Sequence, residues 1–186
     1  PQADSSTKQG KWEKSKFNGT EINGKYLGLI GCGNIGSIVA SRAIGLKMKV
    51  LAYDPFLTQE KAFEVGVEKV DLEYLLENSD IISLHTPLTD DTKNIISSEA
   101  ISIMKKGSRI INCARGGLVD EVACRAALET GHIAGAAFDV FTEEPAKENI
   151  LFDAPNLIAT PHLGAATIEA QENVAIQIAQ QMSDYL

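Results

Sequence analysis

The stretch Lys25-Tyr26-Leu27-Gly28-Leu29-Ile30-Gly31-Cys32-Gly33-Asn34-Ile35-Gly36 passes from an apolar run directly into a glycine-rich turn. It predicts a strand over 25–31 and an amphipathic helix over 34–46. In such a turn Gly31 permits the sharp bend, Gly33 removes a side chain that would block a pyrophosphate, and Gly36 lets the helix lie close to the strand. The helix start then offers unpaired N–H groups and a partial positive charge to phosphate oxygens. Glycine-rich turns also serve plain structural needs, so the loop decides nothing by itself.

Working outward, the next apolar run, 48–53, ends at Asp54, and Pro55 stops it. A carboxylate there can accept hydrogen bonds from both hydroxyls of an adenosine ribose and would repel a 2′-phosphate. Loop and carboxylate together point to NAD rather than NADP. The competing role for Asp54 is that of a turn residue before proline.

Further apolar runs predict strands over 80–85, 108–113, 134–139 and 156–160, with a weaker one near 67–70. Helices are expected over 58–65, 72–78, 97–105, 120–130 and 167–185. Strands apolar along their whole length are buried on both faces, and each helix crosses back to start the next parallel strand. That alternation is a doubly wound α/β sheet. Residues 1–24 are polar, without a sustained period, and read as a connector or the tail of an entering helix. The last helix carries Val174, Ile178 and Met182 at a spacing of four, a stripe expected to pack on the core.

Bulk properties set the outer limits. The chain has 186 residues, 44% of them hydrophobic and 23% charged, with a net charge of −8, which suits an ordinary globular domain. No basic patch suggests a nucleic-acid surface. Cys32, Cys113 and Cys124 are odd in number, with no Cys-x-x-Cys pair, so neither a disulfide framework nor a metal site is expected. With no export signal and no run long enough to cross a membrane, a cytoplasmic location with no membrane partner is the expectation.

The unusual polar residues fall at predicted strand ends, where ligands bind in open α/β sheets. Thr86 and Pro87 follow one strand, Arg115 another, Asp139 closes a third and His162 follows the last. Each has a plainer role as well. His85 suits a strand end, His132 an exposed Gly-His turn, and His162 a satisfied loop histidine. Arg115 could pair with Asp120 or Glu121, and Glu143 with Glu144 could form a solvated pair.

Three longer stretches carry a family resemblance. Gly107 to Glu121 (GSRIINCARGGLVDE), Phe138 to Pro145 (FDVFTEEP) and Thr160 to Ala165 (TPHLGA) resemble the signatures of D-2-hydroxyacid dehydrogenases, in that family's order and spacing. Lys11-Trp12-Glu13 and Phe17-Asn18-Gly19-Thr20-Glu21 look most like its phosphoglycerate dehydrogenase branch. The resemblance implies NAD on Gly31, Gly33, Asn34, Ile35, Gly36 and Asp54, with Thr86, Pro87, Cys113 and Ala114 lining its groove. It further implies Asp139 on the nicotinamide carboxamide, with Gly164 and Ala165 framing that end. Arg115 would bind the carboxylate of a small 2-hydroxy acid, 3-phosphoglycerate first among them. His162 would be the acid/base, with Glu144 hydrogen-bonded behind it, and both Arg115 and His162 would border the cofactor.

In that family the nucleotide domain is inserted into a substrate domain. The resemblance therefore implies a connector over 1–24, an NAD-binding Rossmann domain over 25–166 and a return helix over 167–186, with the substrate domain largely absent. A homodimer formed through this domain is a further implication, as is a fragment that binds NAD yet is inactive alone. Two other readings stand beside it: another branch such as a glyoxylate or hydroxypyruvate reductase, and a binding protein of the NAD-gated corepressor type.

Overall fold

The computed structural model describes residues 2–185. Pro1 and Leu186, the outermost residues of the expected connector and return helix, lie outside the described residues. Strands β1 (Tyr26–Ile30), β2 (Lys49–Tyr53), β3 (Glu68–Lys69), β4 (Ile81–Leu84), β5 (Ser108–Asn112), β6 (Ile133–Phe138) and β7 (Leu157–Ala159) form one sheet. Its order is β3-β2-β1-β4-β5-β6-β7, and every pairing is parallel. The chain steps outward from β1 to β2 and β3, then returns to the other side of β1 with β4. That reversal opens a crevice beyond the carboxyl ends of β1 and β4.

Alternation along β1 shows why its run is apolar throughout. Leu27 and Leu29 join Ala40 and Ala43 of α2 (Asn34–Gly45) and Ala62 of α3 (Gln59–Val65). Ile30 faces the opposite core, with Leu75 and Leu76 of α4 (Leu72–Asn78), Ala100 and Ile101 of α5 (Ser98–Ile103), and Cys124 and Leu128 of α6 (Glu121–Thr130). A strand wedged between two helical layers has no wet face to leave polar. Side-chain oxygens of Thr58, Asp71, Ser97 and Asp120 each accept a backbone N–H at the start of α3, α4, α5 and α6. These caps fix where each helix begins.

Within 2–24 the chain forms α1 (Gln2–Lys8) and a 3-10 turn, Lys14–Phe17. Two expectations fail. The final helix α7 (Ile168–Tyr185) does not pack on the core: none of its residues is buried, and Val174, Ile178 and Met182 are all exposed. A spacing of four marks one face as apolar but does not say which surface covers it. His132 is not an exposed turn residue. It is half-buried, with Nε2 2.8 Å from the Ile101 carbonyl.

Candidate functional site

Because all strands run the same way, the residues after β1, β2, β4, β5, β6 and β7 share one edge of the sheet. The glycine turn is built as steric argument requires. Gly31 has φ +94°, and a Cβ there would stand 2.5 Å from the His85 carbonyl oxygen. A Cβ on Gly36 would stand 2.3 Å from the Gly31 carbonyl oxygen, whereas one on Gly33 would meet nothing within 4 Å. Two glycines are thus needed for packing, and the third leaves open surface at the start of α2. Asn34 and Ile35, the first residues of that helix, are exposed there. This open cradle at a helix N-terminus suits a pyrophosphate.

Asp54 reaches across to the same turn. Its Oδ2 accepts the Cys32 N–H at 2.8 Å and its Oδ1 accepts the Phe56 N–H at 2.8 Å. The carboxylate therefore ties the β2 loop to the glycine turn, and each oxygen keeps a lone pair for a ribose hydroxyl. Thr86 is half-buried and Pro87 exposed just beyond β4. His85 turns inward instead, with Nε2 2.9 Å from the Ser83 hydroxyl, and burial pushes its pKa down. It is a strand-end residue.

After β5 the chain makes the turn that carries Cys113, Ala114 and Arg115. Buried Asn112 shapes it, accepting the Ala114 N–H at 3.1 Å and donating to the Arg115 carbonyl at 2.9 Å. Arg115 is exposed, its Nη1 donates to the Ala114 carbonyl at 2.6 Å, and among the described residues it has no acidic partner. The suggested pairing with Asp120 or Glu121 is not made. Asp120 caps α6 and Glu121 bonds elsewhere. A Cβ on Gly116 would fall 1.8 Å from the Phe141 carbonyl oxygen, so the Arg115 turn lies directly against the segment that carries Glu144.

Asp139 is buried just past β6 and gathers the last turn around itself. Its Oδ1 accepts the Thr160 hydroxyl at 2.5 Å and the Leu163 N–H at 2.8 Å, and its Oδ2 accepts the Gly164 N–H at 3.0 Å. Burial by itself would raise this carboxyl, but these hydrogen bonds and neighbouring His162 outweigh it and hold its pKa below the ordinary value. The cradle pins His162 in a left-handed conformation with φ +55°. His162 Nδ1 then lies 2.8 Å from Glu144 Oε2, while Glu144 Oε1 accepts the Phe141 N–H at 3.0 Å. The bond to His162, seconded by Phe141, lowers the Glu144 pKa. Glu143 and Glu144 are both exposed, but Glu144 is held by the His162 ring and the Phe141 N–H. A hollow of about 570 Å³, walled by Phe141, Pro145, Phe152 and Pro161, opens beside the couple. Gly164 and Ala165 lie exposed on the same turn.

The Asp139 cradle predicts a pH signature. A carboxyl whose folded pKa is depressed stabilises the fold fully above its unfolded value, about 3.9, and loses that contribution as pH falls through the lower folded value. The melting-temperature gap between the native chain and Asp139→Ala should be widest near neutrality and shrink below about pH 4. A gap independent of pH down to acid unfolding would contradict the assignment.

Sequence reading missed Asn112, Thr160 and Asp139's own part in holding the histidine turn. Each lies in one of the quoted motifs as a polar residue at the end of an apolar run, which gives no sign of its partners.

Residues 1–164 match the family described as D-isomer specific 2-hydroxyacid dehydrogenase, NAD binding domain. The chain is 51% identical over 185 residues to the D-3-phosphoglycerate dehydrogenase of Bacillus subtilis (strain 168), covering 100% of this chain and 35% of that protein. It is 48% identical over 184 residues to the enzyme of that name from Homo sapiens, covering 99% of this chain and 34% of the relative. The chain thus spans about a third of the length of these relatives. Among solved structures, D-lactate dehydrogenase from Aquifex aeolicus, complexed with NAD and lactic acid, superposes with a TM-score of 0.89 at 32% identity. That match covers 99% of this chain and 60% of the other. The pyruvate reductase of Chlamydomonas reinhardtii gives 0.90 at 33%, with 99% and 60% coverage. Sheet order, glycine cradle and family match agree: this chain belongs to the D-isomer specific 2-hydroxyacid dehydrogenases and is an NAD-binding domain of that family.

Proposed function

We propose that the protein containing this chain oxidises the 2-hydroxyl of D-3-phosphoglycerate to 3-phosphohydroxypyruvate, with His162 as acid/base, Glu144 as its partner and Arg115 on the substrate carboxylate. The observation that carries this reading is the 2.8 Å contact between Glu144 Oε2 and His162 Nδ1. It occupies one ring nitrogen and leaves Nε2 to take the hydroxyl proton. NAD, when bound, supplies the nicotinamide that accepts hydride from C2. The Arg115 guanidinium offers a planar fork matched to a carboxylate and, among the described residues, has no competing acid beside it. The Glu144 carboxylate fixes the imidazole tautomer and holds the ring in place as the proton arrives.

The choice of 3-phosphoglycerate rests on the sequence likeness to enzymes of that name. The surface that closes over the substrate, and the groups that hold its phosphate, belong to a second lobe. This chain therefore binds NAD and turns over substrate poorly or not at all, and the working enzyme is a homodimer joined through this domain. Spectrophotometry of NADH formation by the complete enzyme, on a panel of 2-hydroxy acids, tests the substrate. The fastest turnover is expected with D-3-phosphoglycerate. Preference for short 2-hydroxy acids such as glycolate, or NAD binding with no turnover of any hydroxy acid, would reject it.

Asp54 provides a separate check on the cofactor. Calorimetric titration of this chain should show NAD bound well ahead of NADP. Asp54→Ala should weaken NAD about tenfold and narrow that preference, part of the loss arising from the freed Cys32 N–H. Equal affinity of the native chain for both nucleotides would contradict the reading.

A further inference from the structure

The Glu144–His162 couple depends on a segment, 141–150, that contains neither helix nor strand. A displacement of about 1 Å at an acid–base pair is enough to cost roughly a hundredfold in rate, so something must brace that segment. The brace nearest Glu144 comes from α6. Glu121, the first residue of α6, uses Oε1 to accept both the Thr142 N–H at 3.0 Å and the Thr142 hydroxyl at 2.9 Å. Its Oε2 accepts the Asn149 side-chain amide at 2.8 Å. The two grips fall on either side of Glu144.

Both ends of this brace are anchored. On the loop side, Asn149 Oδ1 accepts the N–H of Leu151 at 2.8 Å, and Leu151 is fully buried. On the helix side, Asp120 caps the Ala123 N–H at 2.9 Å and donates its own N–H to the Ile96 carbonyl. Cys124, Ala127 and Leu128 seat α6 in the core. One turn along, Arg125 donates to the Ile150 carbonyl at 2.6 Å. An acidic residue in the first turn of a helix is commonly there for the helix dipole, and Glu60, Glu73 and Glu99 occupy that place in α3, α4 and α5. Glu99 stays local, accepting from the hydroxyl of its own cap, Ser97. Glu121 differs in spending both oxygens on a distant loop.

We infer that Glu121 is a positioning residue for the acid–base couple, holding the 142–149 loop from both sides so that Glu144 meets His162. The inference deepens, and rests on, the reading of His162 as the acid/base. Its route runs by hydrogen bonds from α6 to Thr142 and Asn149, along the backbone from Thr142 to Phe141, whose N–H donates to Glu144, and by the last hydrogen bond from Glu144 to the imidazole.

Two readouts test it. In this chain labelled with nitrogen-15, the His162 Nδ1 proton held by Glu144 should give a resolved downfield resonance. Glu121→Ala should lose that resonance to water exchange while amide signals of β1, β4 and β5 stay in place. In the complete enzyme the same change should lower kcat about 10- to 100-fold with KM and NAD affinity little altered. Glu121→Gln, which keeps an oxygen for Thr142, should recover most of the rate. Should Glu121→Ala fail to fold, Thr142→Ala combined with Asn149→Ala removes the same grips, leaves α6 whole, and should reproduce both losses. A folded variant of either kind that retains the His162 resonance and the native kcat overturns the inference. Full turnover by His162→Ala would instead refute the acid–base reading itself, an outcome separate from failure of the brace.

Discussion

Alanine in place of His162 is expected to lower kcat of the complete enzyme by about 10²–10⁴-fold, with NAD affinity nearly intact. The imidazole is half exposed on the turn after β7 and bonds Glu144, so it adds little to the fold. Its loss removes the group that would take the hydroxyl proton, while the glycine turn and Asp54 stay as they are. Steady-state kinetics together with a calorimetric NAD titration separate the two effects. Parallel loss of turnover and NAD binding would make His162 structural. Retention of both would remove it from the chemistry.

The second large effect is expected at the other end of the crevice. Gly36→Ala puts a methyl group 2.3 Å from the Gly31 carbonyl oxygen. That contact is backbone against backbone, so no flexible side chain can yield. Either α2 moves off β1 or the turn unwinds. Overpacking of this kind costs about 1–3 kcal/mol, and in a chain of this size that lowers the melting temperature by roughly 2–10 °C. NAD affinity should fall more steeply than stability, because the displaced helix start is itself the proposed phosphate site. Gly33→Ala is the control. Its Cβ meets nothing in the protein, so stability should hold while NAD binding drops. Native-like NAD affinity in both variants, by calorimetry, would contradict the proposed cradle.

The unequal legibility of this chain has physical causes. Strand β1 was readable because burial on both faces forces an uninterrupted apolar run, as Leu27 to Ile30 show. The glycine turn was readable because only glycine tolerates φ +94° at Gly31 or the closeness of Gly36 to the Gly31 carbonyl. By contrast, α7 has a clear apolar stripe in Val174, Ile178 and Met182, and periodicity alone assigned it a partner that the fold does not supply. His132 looked like a turn residue, yet the packing of α5 brings the Ile101 carbonyl to its ring. The motif residues Arg115, Glu144 and His162 could be picked out by resemblance, whereas the side chains that hold them could not. Asn112, Thr160 and Glu121 act through contacts that join segments distant in sequence, or through a tight local turn. No spacing rule encodes such contacts, and only the folded geometry reveals them.

In the proposed site, the phosphate cradle after β1 and the His162 turn after β7 open onto one crevice that would hold NAD. Mapping backbone amide shifts of this chain during an NAD titration tests it most directly. Shifts are expected at Cys32 to Gly36, at Asp54, at Thr86, around Cys113 to Arg115, and at Leu163 to Ala165. A response confined to the opposite sheet face near Ile111, Ala137 and Ile158, or one that reaches the glycine turn but never the His162 turn, would contradict it.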